Sequence, residues 1–308
     1  MGRRVVVRRK SKDLAQNAPR KGGGKSETAR RFIAETERAQ RKANDKSAGE
    51  TPALLRNFLP VVTIPGDERL ECVPMGKVYA GASGWAYGSW KPDFYPAKLS
   101  VARFLNHYAS RLNSVEVNYT FGRRVNVELL ERWAAAAPDH FRFAVKAHRR
   151  ITHSKRLRDA APVTAEFLAA LEPLRRTEKL GPVLFQLPGN FKCDVGRLRE
   201  FLTGLPPWVR AAFEFRHESW FSEDVYATLR KAGAALCLAE GEELATPEVV
   251  TADFHYLRLR KESYSRRSVA AKVHRLAQNG DVFVYFKHED TPEGALRAEA
   301  LLRPARKK

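Results

Sequence analysis

From Val78 to Leu302 the chain alternates short apolar stretches of period two with longer stretches at helical spacing. Eight strands are predicted: Val78–Ser83, Ser114–Phe121, Phe141–Ala147, Val183–Leu187, Ala211–Arg216, Ala234–Glu240, Phe254–Arg260 and Asp281–Lys287. Helices are predicted from Ser100 to Leu112, Asn126 to Ala137, Val163 to Arg175, Asp194 to Leu205, Ser222 to Ala232, Ser265 to Asn279 and Glu293 to Leu302. Asn126 supplies an N-cap, Pro138 a stop, and Gly233 and Gly280 supply C-caps. Only Gly241–Asp253 is too short and too proline-broken for a full helix. Eight such units over roughly 230 residues are the numbers of a (β/α)8 TIM-type barrel in the α/β class. A doubly wound sheet would show fewer repeats and a Gly-rich first turn, whereas this first turn reads Gly81-Ala-Ser-Gly-Trp85.

In a parallel barrel one strand face packs on the helices and the other fills the cylinder. Turning the apolar parity outward places Val115, Val117, Tyr119, Phe143, Val145, Val183, Phe185, Phe213, Phe215, Leu257, Leu259, Val282 and Val284 against helices. The inward set is then Glu116, Asn118, Thr120, Lys146, His148, Gln186, Glu214, Arg216, Tyr256, Arg258, Tyr285 and Lys287. The sixth strand is ambiguous, with either Cys237 or Glu240 inward. A purely structural barrel interior prefers Val, Ile and Leu. Burying unpartnered polar or charged groups costs several kcal/mol each. Hydrophilic groups on several strands therefore read as a functional mouth at the strands' C-terminal ends. The competing reading is a network in which Glu214 neutralises Arg216 and Glu116 neutralises Lys146.

The net charge of +20 and isoelectric point of about 10.1 favour an anionic small molecule or nucleic acid as partner. Residues 1–76 hold 17 Lys/Arg and 9 Asp/Glu, an excess of 8 in a quarter of the length. Residues 1–50 read as a basic, low-complexity, disordered tail, and 51–76 as an apolar, proline-punctuated strap. Gly22-Gly-Gly-Lys-Ser26 resembles the end of a phosphate loop, but Pro19 stands where its first glycine belongs, so it reads as linker. The barrel is expected over 77–308. Cys72, Cys193 and Cys237 are odd in number and widely spaced, which points to reduced thiols and a cytoplasmic protein. Neither a membrane-spanning run nor a secretory apolar core is visible, and no cofactor motif or oligomeric signature stands out.

Several of these stretches match one family. Tyr79-Ala-Gly-Ala-Ser-Gly-Trp-Ala-Tyr87 with Trp90 and Phe94-Tyr-Pro96 resembles the opening of the DUF72 (YecE-like) family. So do Asn113-Ser-Val-Glu-Val-Asn-Tyr-Thr-Phe121, Phe141-Arg-Phe-Ala-Val-Lys146 with Ile151-Thr-His153, and Gly181-Pro-Val-Leu-Phe-Gln-Leu-Pro188. Phe213-Glu-Phe-Arg-His217 with Ser219-Trp220, Thr251-Ala-Asp253 and Val284-Tyr-Phe286 complete the run, in order, over about residues 77–303. The resemblance implies a TIM-type barrel and supplies no activity. Arg260-Lys261 stands where His-Gly often follows the seventh strand, and Lys287-His288 where Asn is frequent after the eighth. Both departures add positive charge.

The first functional reading is an enzyme, a hydrolase or other acid/base catalyst, acting on an anionic or phosphate-containing substrate. Glu214, Glu116 and Lys146 are its candidate catalytic groups. Arg216, Gln186, Asn118, His217, Arg258, Tyr285, Lys287 and Trp85 are its candidate substrate contacts. The second is a nucleic-acid-binding barrel with Trp85, Tyr87, Trp90 and Trp220 as stacking platforms. The third, metal-dependent hydrolysis, draws on His148, His153, His217, His255 and His288, but no HxH or HExxH spacing joins any two. The fourth is a non-catalytic binding protein. Cys237, between Leu236 and Leu238, reads as packing.

Overall fold

A computed structural model of the protein describes residues 75–241, 244–287 and 290–303. The expectations for the tail and for most of the strap lie outside those residues, as does His288.

The eight strands are β1 (Val78–Ala82), β2 (Ser114–Val117), β3 (Arg142–Lys146), β4 (Leu180–Gln186), β5 (Ala211–Glu214), β6 (Ala235–Glu240), β7 (Phe254–Leu259) and β8 (Asp281–Phe286). Every neighbouring pair is parallel, and the sheet runs β1-β8-β7-β6-β5-β4-β3-β2. Chain order is thus spatial order, and the sheet curls into a nearly closed barrel.

The seam between β1 and β2 is bridged by side chains. The Asn113 amide accepts from Ala80 N–H at 2.8 Å and donates to the Val78 carbonyl at 2.8 Å. The Tyr108 hydroxyl accepts from Ala82 N–H at 2.8 Å and donates to the Ser114 carbonyl at 3.0 Å. Strand edges that would otherwise leave buried polar groups unpaired are satisfied in this way. Glycine is required here, because a Cβ on Gly81 would lie 2.0 Å from the Ser114 carbonyl oxygen.

Helices follow the strands as the patterns predict. They span Phe104–Arg111, Val127–Ala136, Ala161–Ala170 with a short continuation Glu172–Arg176, Val195–Thr203, Glu223–Lys231, Arg266–Ala277 and Glu293–Leu302. Asn126 Oδ1 accepts from Leu129 N–H at 2.9 Å and Asp194 Oδ1 from Arg197 N–H at 3.0 Å, so both act as N-caps. At the other end of Val127–Ala136, buried Lys179 donates to the Ala134 and Ala137 carbonyls at 2.8 and 2.7 Å. A cation there also suits the negative end of the helix dipole. No helix among the described residues is long and apolar enough to cross a membrane.

Two apolar clusters follow the strand parity. Val115, Val117, Phe143, Val145, Val183, Phe185, Phe213, Leu257, Val282 and Val284 pack between sheet and helices. Tyr79, Ala144, Leu184, Ala212, Ala235, Cys237, Phe254, Tyr256, Phe283 and Tyr285 fill the cylinder. Cys237 is therefore the inward group of the sixth strand, while Glu240 pairs with Lys272 at 2.7 Å. The N-terminal floor is aromatic: Tyr79 stacks on Phe283 at 4.6 Å and Phe254 meets Phe283 edge-on at 6.2 Å.

Two strands end earlier than their apolar pattern predicts. β2 stops at Val117 and a helical turn, Tyr119–Gly122, takes over, so strand parity no longer governs Tyr119 or Thr120. Tyr119 is an exposed side chain, and the Thr120 hydroxyl donates to the Lys146 carbonyl at 2.7 Å. β5 stops at Glu214, which places Arg216 in the loop above the barrel.

Candidate functional site

The inward side chains at the C-terminal strand ends converge on one guanidinium. Arg258 lies near the end of β7 and is only 3% exposed. Its Nε and Nη2 fork onto Glu116 at 2.8 and 2.7 Å, and its Nη1 donates to Glu214. The planar fork is what allows one cation to hold two carboxylates from β2 and β5.

Both carboxylates are further bound. Glu116 accepts from Ser83 Oγ at 3.0 Å, Tyr256 Oη at 2.9 Å and Arg260 Nη2 at 3.2 Å, with Asn118 Nδ2 at 3.4 Å. Glu214 accepts from Gln186 Nε2 at 2.9 Å on each oxygen and from Arg216 Nε at 2.9 Å. Burial by itself would raise the Glu116 pKa, but Arg258, Arg260 and the hydrogen bonds override it and hold the carboxyl well below its ordinary range. For Glu214 burial is again outweighed, by Arg258, Arg216 and Gln186, and the value falls to about 2. Both groups are ionised at neutral pH and have almost no lone pair left for a ligand.

Lys146, at the end of β3, is different. It is 9% exposed, yet its Nζ makes no ion pair or hydrogen bond among the described residues. It lies over the face of Phe121, 4.0 Å from the ring centroid. Burial, then repulsion from Arg258, lowers its pKa to about 8 against the pull of Glu116 and Glu214. The expected Glu116–Lys146 neutralisation is replaced by Glu116–Arg258, which leaves the ammonium uncommitted. Arg216 spends one donor on Glu214 and keeps half of its side chain exposed.

Four cations, Lys146, Arg216, Arg258 and Arg260, thus share the mouth with two carboxylates. The cluster carries two positive charges in excess when Lys146 is protonated. Arg260 was legible in the sequence only as a departure from a family pattern; strand parity, continued by two residues past Arg258, points it inward.

The remaining candidates are placed apart. Trp85 is buried against Trp133 and Phe143 at 4.8 and 6.4 Å, outside the polar cluster. His217 Nδ1 accepts from Ser219 N–H at 3.1 Å and caps a short turn. Tyr285 lies deeper in the barrel, its hydroxyl 2.7 Å from Ser114 Oγ. Lys287 is exposed beyond the end of β8. The Cys237 thiol is fully buried, and burial followed by the charge of Glu214 raises its pKa well above the ordinary value. No three His, Cys, Asp or Glu side chains among the described residues cluster as a metal-binding set.

Comparison with known proteins agrees with the fold. A family model described as "Protein of unknown function DUF72" matches residues 79–308. The UPF0759 protein YecE of Escherichia coli (strain K12) is 30% identical over 147 residues, 47% of this chain and 51% of that protein. The UPF0759 protein YunF of Bacillus subtilis (strain 168) is 30% identical over 156 residues, 48% of this chain and 54% of that protein. The chain spans about half the length of the curated relatives it matches. Among solved structures, a DUF72 family protein from Thermotoga maritima superposes with a TM-score of 0.65 at 25% identity, covering 73% of this chain and 97% of the other. One from Enterococcus faecalis gives 0.59 at 20%, covering 75% and 99%.

Proposed function

This chain belongs to the DUF72 family, and we propose that its barrel mouth binds an anionic, phosphate-type substrate group and that Lys146 exchanges a proton with it. The observation that carries this reading is a buried ammonium with no ion pair or hydrogen bond among the described residues, beside two carboxylates already claimed by arginines. A lysine with a pKa near 8 is charged enough at neutral pH to attract an anion, and acidic enough to give up its proton during a reaction.

The roles divide among the residues by what each has left to offer. Glu116 and Glu214 are a frame: they fix Arg258 and Arg260 and stay ionised, instead of cycling as general acids or bases. Arg216, with terminal donors open to solvent, and Lys146 make direct contact with the anion. Asn118 and Gln186 orient the frame through Glu116 and Glu214. The nucleic-acid alternative has less support, because Trp85, Trp90 and Trp220 are buried in packing, and of the four stacking candidates only half-buried Tyr87, its hydroxyl bonded to the Ser83 carbonyl at 3.0 Å, keeps any surface for a base.

Calorimetric titration with inorganic phosphate tests the reading. Wild type is expected to bind, more weakly as salt rises and as pH climbs past about 8, where Lys146 loses its proton. Lys146→Met and Arg216→Met are expected to bind at least about tenfold more weakly, the loss of one charge-assisted contact. Equal binding by wild type and Lys146→Met refutes the assignment.

A further inference from the structure

β3 does not lead directly into a helix. After Lys146 the chain passes through a π-helical turn, Arg150–Ser154, and then a loop in which Arg156, Leu157 and Asp159 have φ of +48°, +67° and +46°. Wide turns of this kind and left-handed non-glycine residues both cost energy and recur at functional sites. What they position here is His153.

Two contacts hold that ring. Its Nδ1 lies 2.9 Å from the hydroxyl of fully buried Thr152. The ring meets Phe121 in a T-shaped contact, centroids 5.0 Å apart. The same Phe121 carries Lys146 on its face. The imidazole is half-buried, and its Nε2 makes no hydrogen bond or ion pair among the described residues.

We propose that His153 is the second proton-transfer group of the mouth: Nδ1–H donates to Thr152, and the Nε2 lone pair accepts a proton from a hydroxyl or water activated beside the bound anion. The O–H bond breaks, the new N–H bond forms, and no electron transfer is involved. This inference rests on the anion-binding reading above and adds to it the base and a substrate class, an anion whose reaction releases a proton. The electrostatics agree. Burial first, then the cations Lys146, Arg216, Arg149 and Arg156, lowers the His153 pKa. The ring is therefore kept in its neutral, proton-accepting form at neutral pH. The arriving anion offsets that field and stabilises the imidazolium that forms.

The test is imidazole nitrogen NMR on full-length protein labelled at histidine, with His153→Gln to assign the resonance. The expected tautomer carries its proton on Nδ1. Lys146→Met is expected to raise the His153 midpoint, and saturating inorganic phosphate to raise it by roughly one pH unit. His140, before β3 at the opposite barrel end, is expected not to respond to phosphate. The opposite tautomer overturns the assignment, as does a His153 midpoint indifferent to Lys146→Met. Phosphate that binds by calorimetry without moving His153 sinks this inference alone. Phosphate that does not bind at all sinks the anion reading, and this inference with it.

Discussion

Replacing Arg258 with methionine, similar in length and uncharged, separates the frame from the rest of the barrel. The change removes three charge-assisted hydrogen bonds at once, two to Glu116 and one to Glu214. Breaking a buried pair by deleting one partner costs about 3–5 kcal/mol, mostly because a charge is left uncompensated. Two carboxylates lose a partner here, but each keeps others: Arg260, Tyr256 and Ser83 for Glu116, and Arg216 and Gln186 for Glu214. The expected loss therefore stays at about 3–5 kcal/mol instead of doubling. At about 2–4 °C per kcal/mol for a domain of this size, Tm falls by about 6–20 °C. Denaturant melts at pH 7 measure the first number and calorimetry the second. The pH dependence supplies a sign test. Carboxylates with depressed folded-state pKa values contribute stability above their unfolded value of about 4.3, and that contribution is lost as pH falls toward the folded value. The deficit of Arg258→Met should therefore be full at pH 7 and shrink below about pH 4, where the carboxylates protonate in the unfolded state and the variant alike. A deficit under about 1 kcal/mol at pH 7, or one that grows in acid, would show that Arg258 is not what the two glutamates are arranged around.

Lys146→Met should behave in the opposite way. Because the ammonium is largely desolvated and makes no ion pair among the described residues, its removal is expected to leave stability at pH 7 equal to or above wild type, while phosphate no longer raises Tm. Tyr108→Phe removes the hydroxyl that joins Ala82 N–H to the Ser114 carbonyl, and about 1–3 kcal/mol is expected to go with it. Amide hydrogen exchange at Ala82 should speed up before exchange elsewhere in β1. His255 is buried between β7 and the helix Arg266–Ala277, its Nε2 without a hydrogen-bond partner among the described residues, and burial lowers its pKa. The folded state thus favours the neutral ring, so stability is lost as pH falls from the unfolded value of about 6.5 through the lower folded value. His255→Phe should flatten that limb of the stability curve.

The barrel was legible because period two, caps and stops all survive in a parallel sheet buried on both faces. Inward placement of Glu116, Lys146, Gln186, Glu214 and Arg258 followed from parity alone. Who pairs with whom did not follow. Parity places side chains on a face but carries no distances, so Lys146 looked like the natural partner of Glu116 until Arg258, with a longer and forked reach, was seen to hold it. Parity also has no means of knowing where a strand stops. The apolar run through Tyr119 continues past the turn that ends β2, and Arg216 lies beyond the last residue of β5. Trp85 follows a strand end in sequence, yet an indole finds more contact against Trp133 and Phe143 than in a charged mouth. His153 stood out only as a family match and as one of five scattered histidines, because nothing local in Arg-Ile-Thr-His-Ser announces a π turn.

The most direct measurement is anomalous diffraction from crystals soaked in tungstate, a heavy analogue of phosphate. A tetrahedral peak within hydrogen-bonding distance of Lys146 Nζ and the free donors of Arg216, lost in Lys146→Met, is the predicted result. Tungstate bound elsewhere while the mouth stays vacant, or a peak there that is unchanged in Lys146→Met, would contradict the claim that this ammonium waits for an anion.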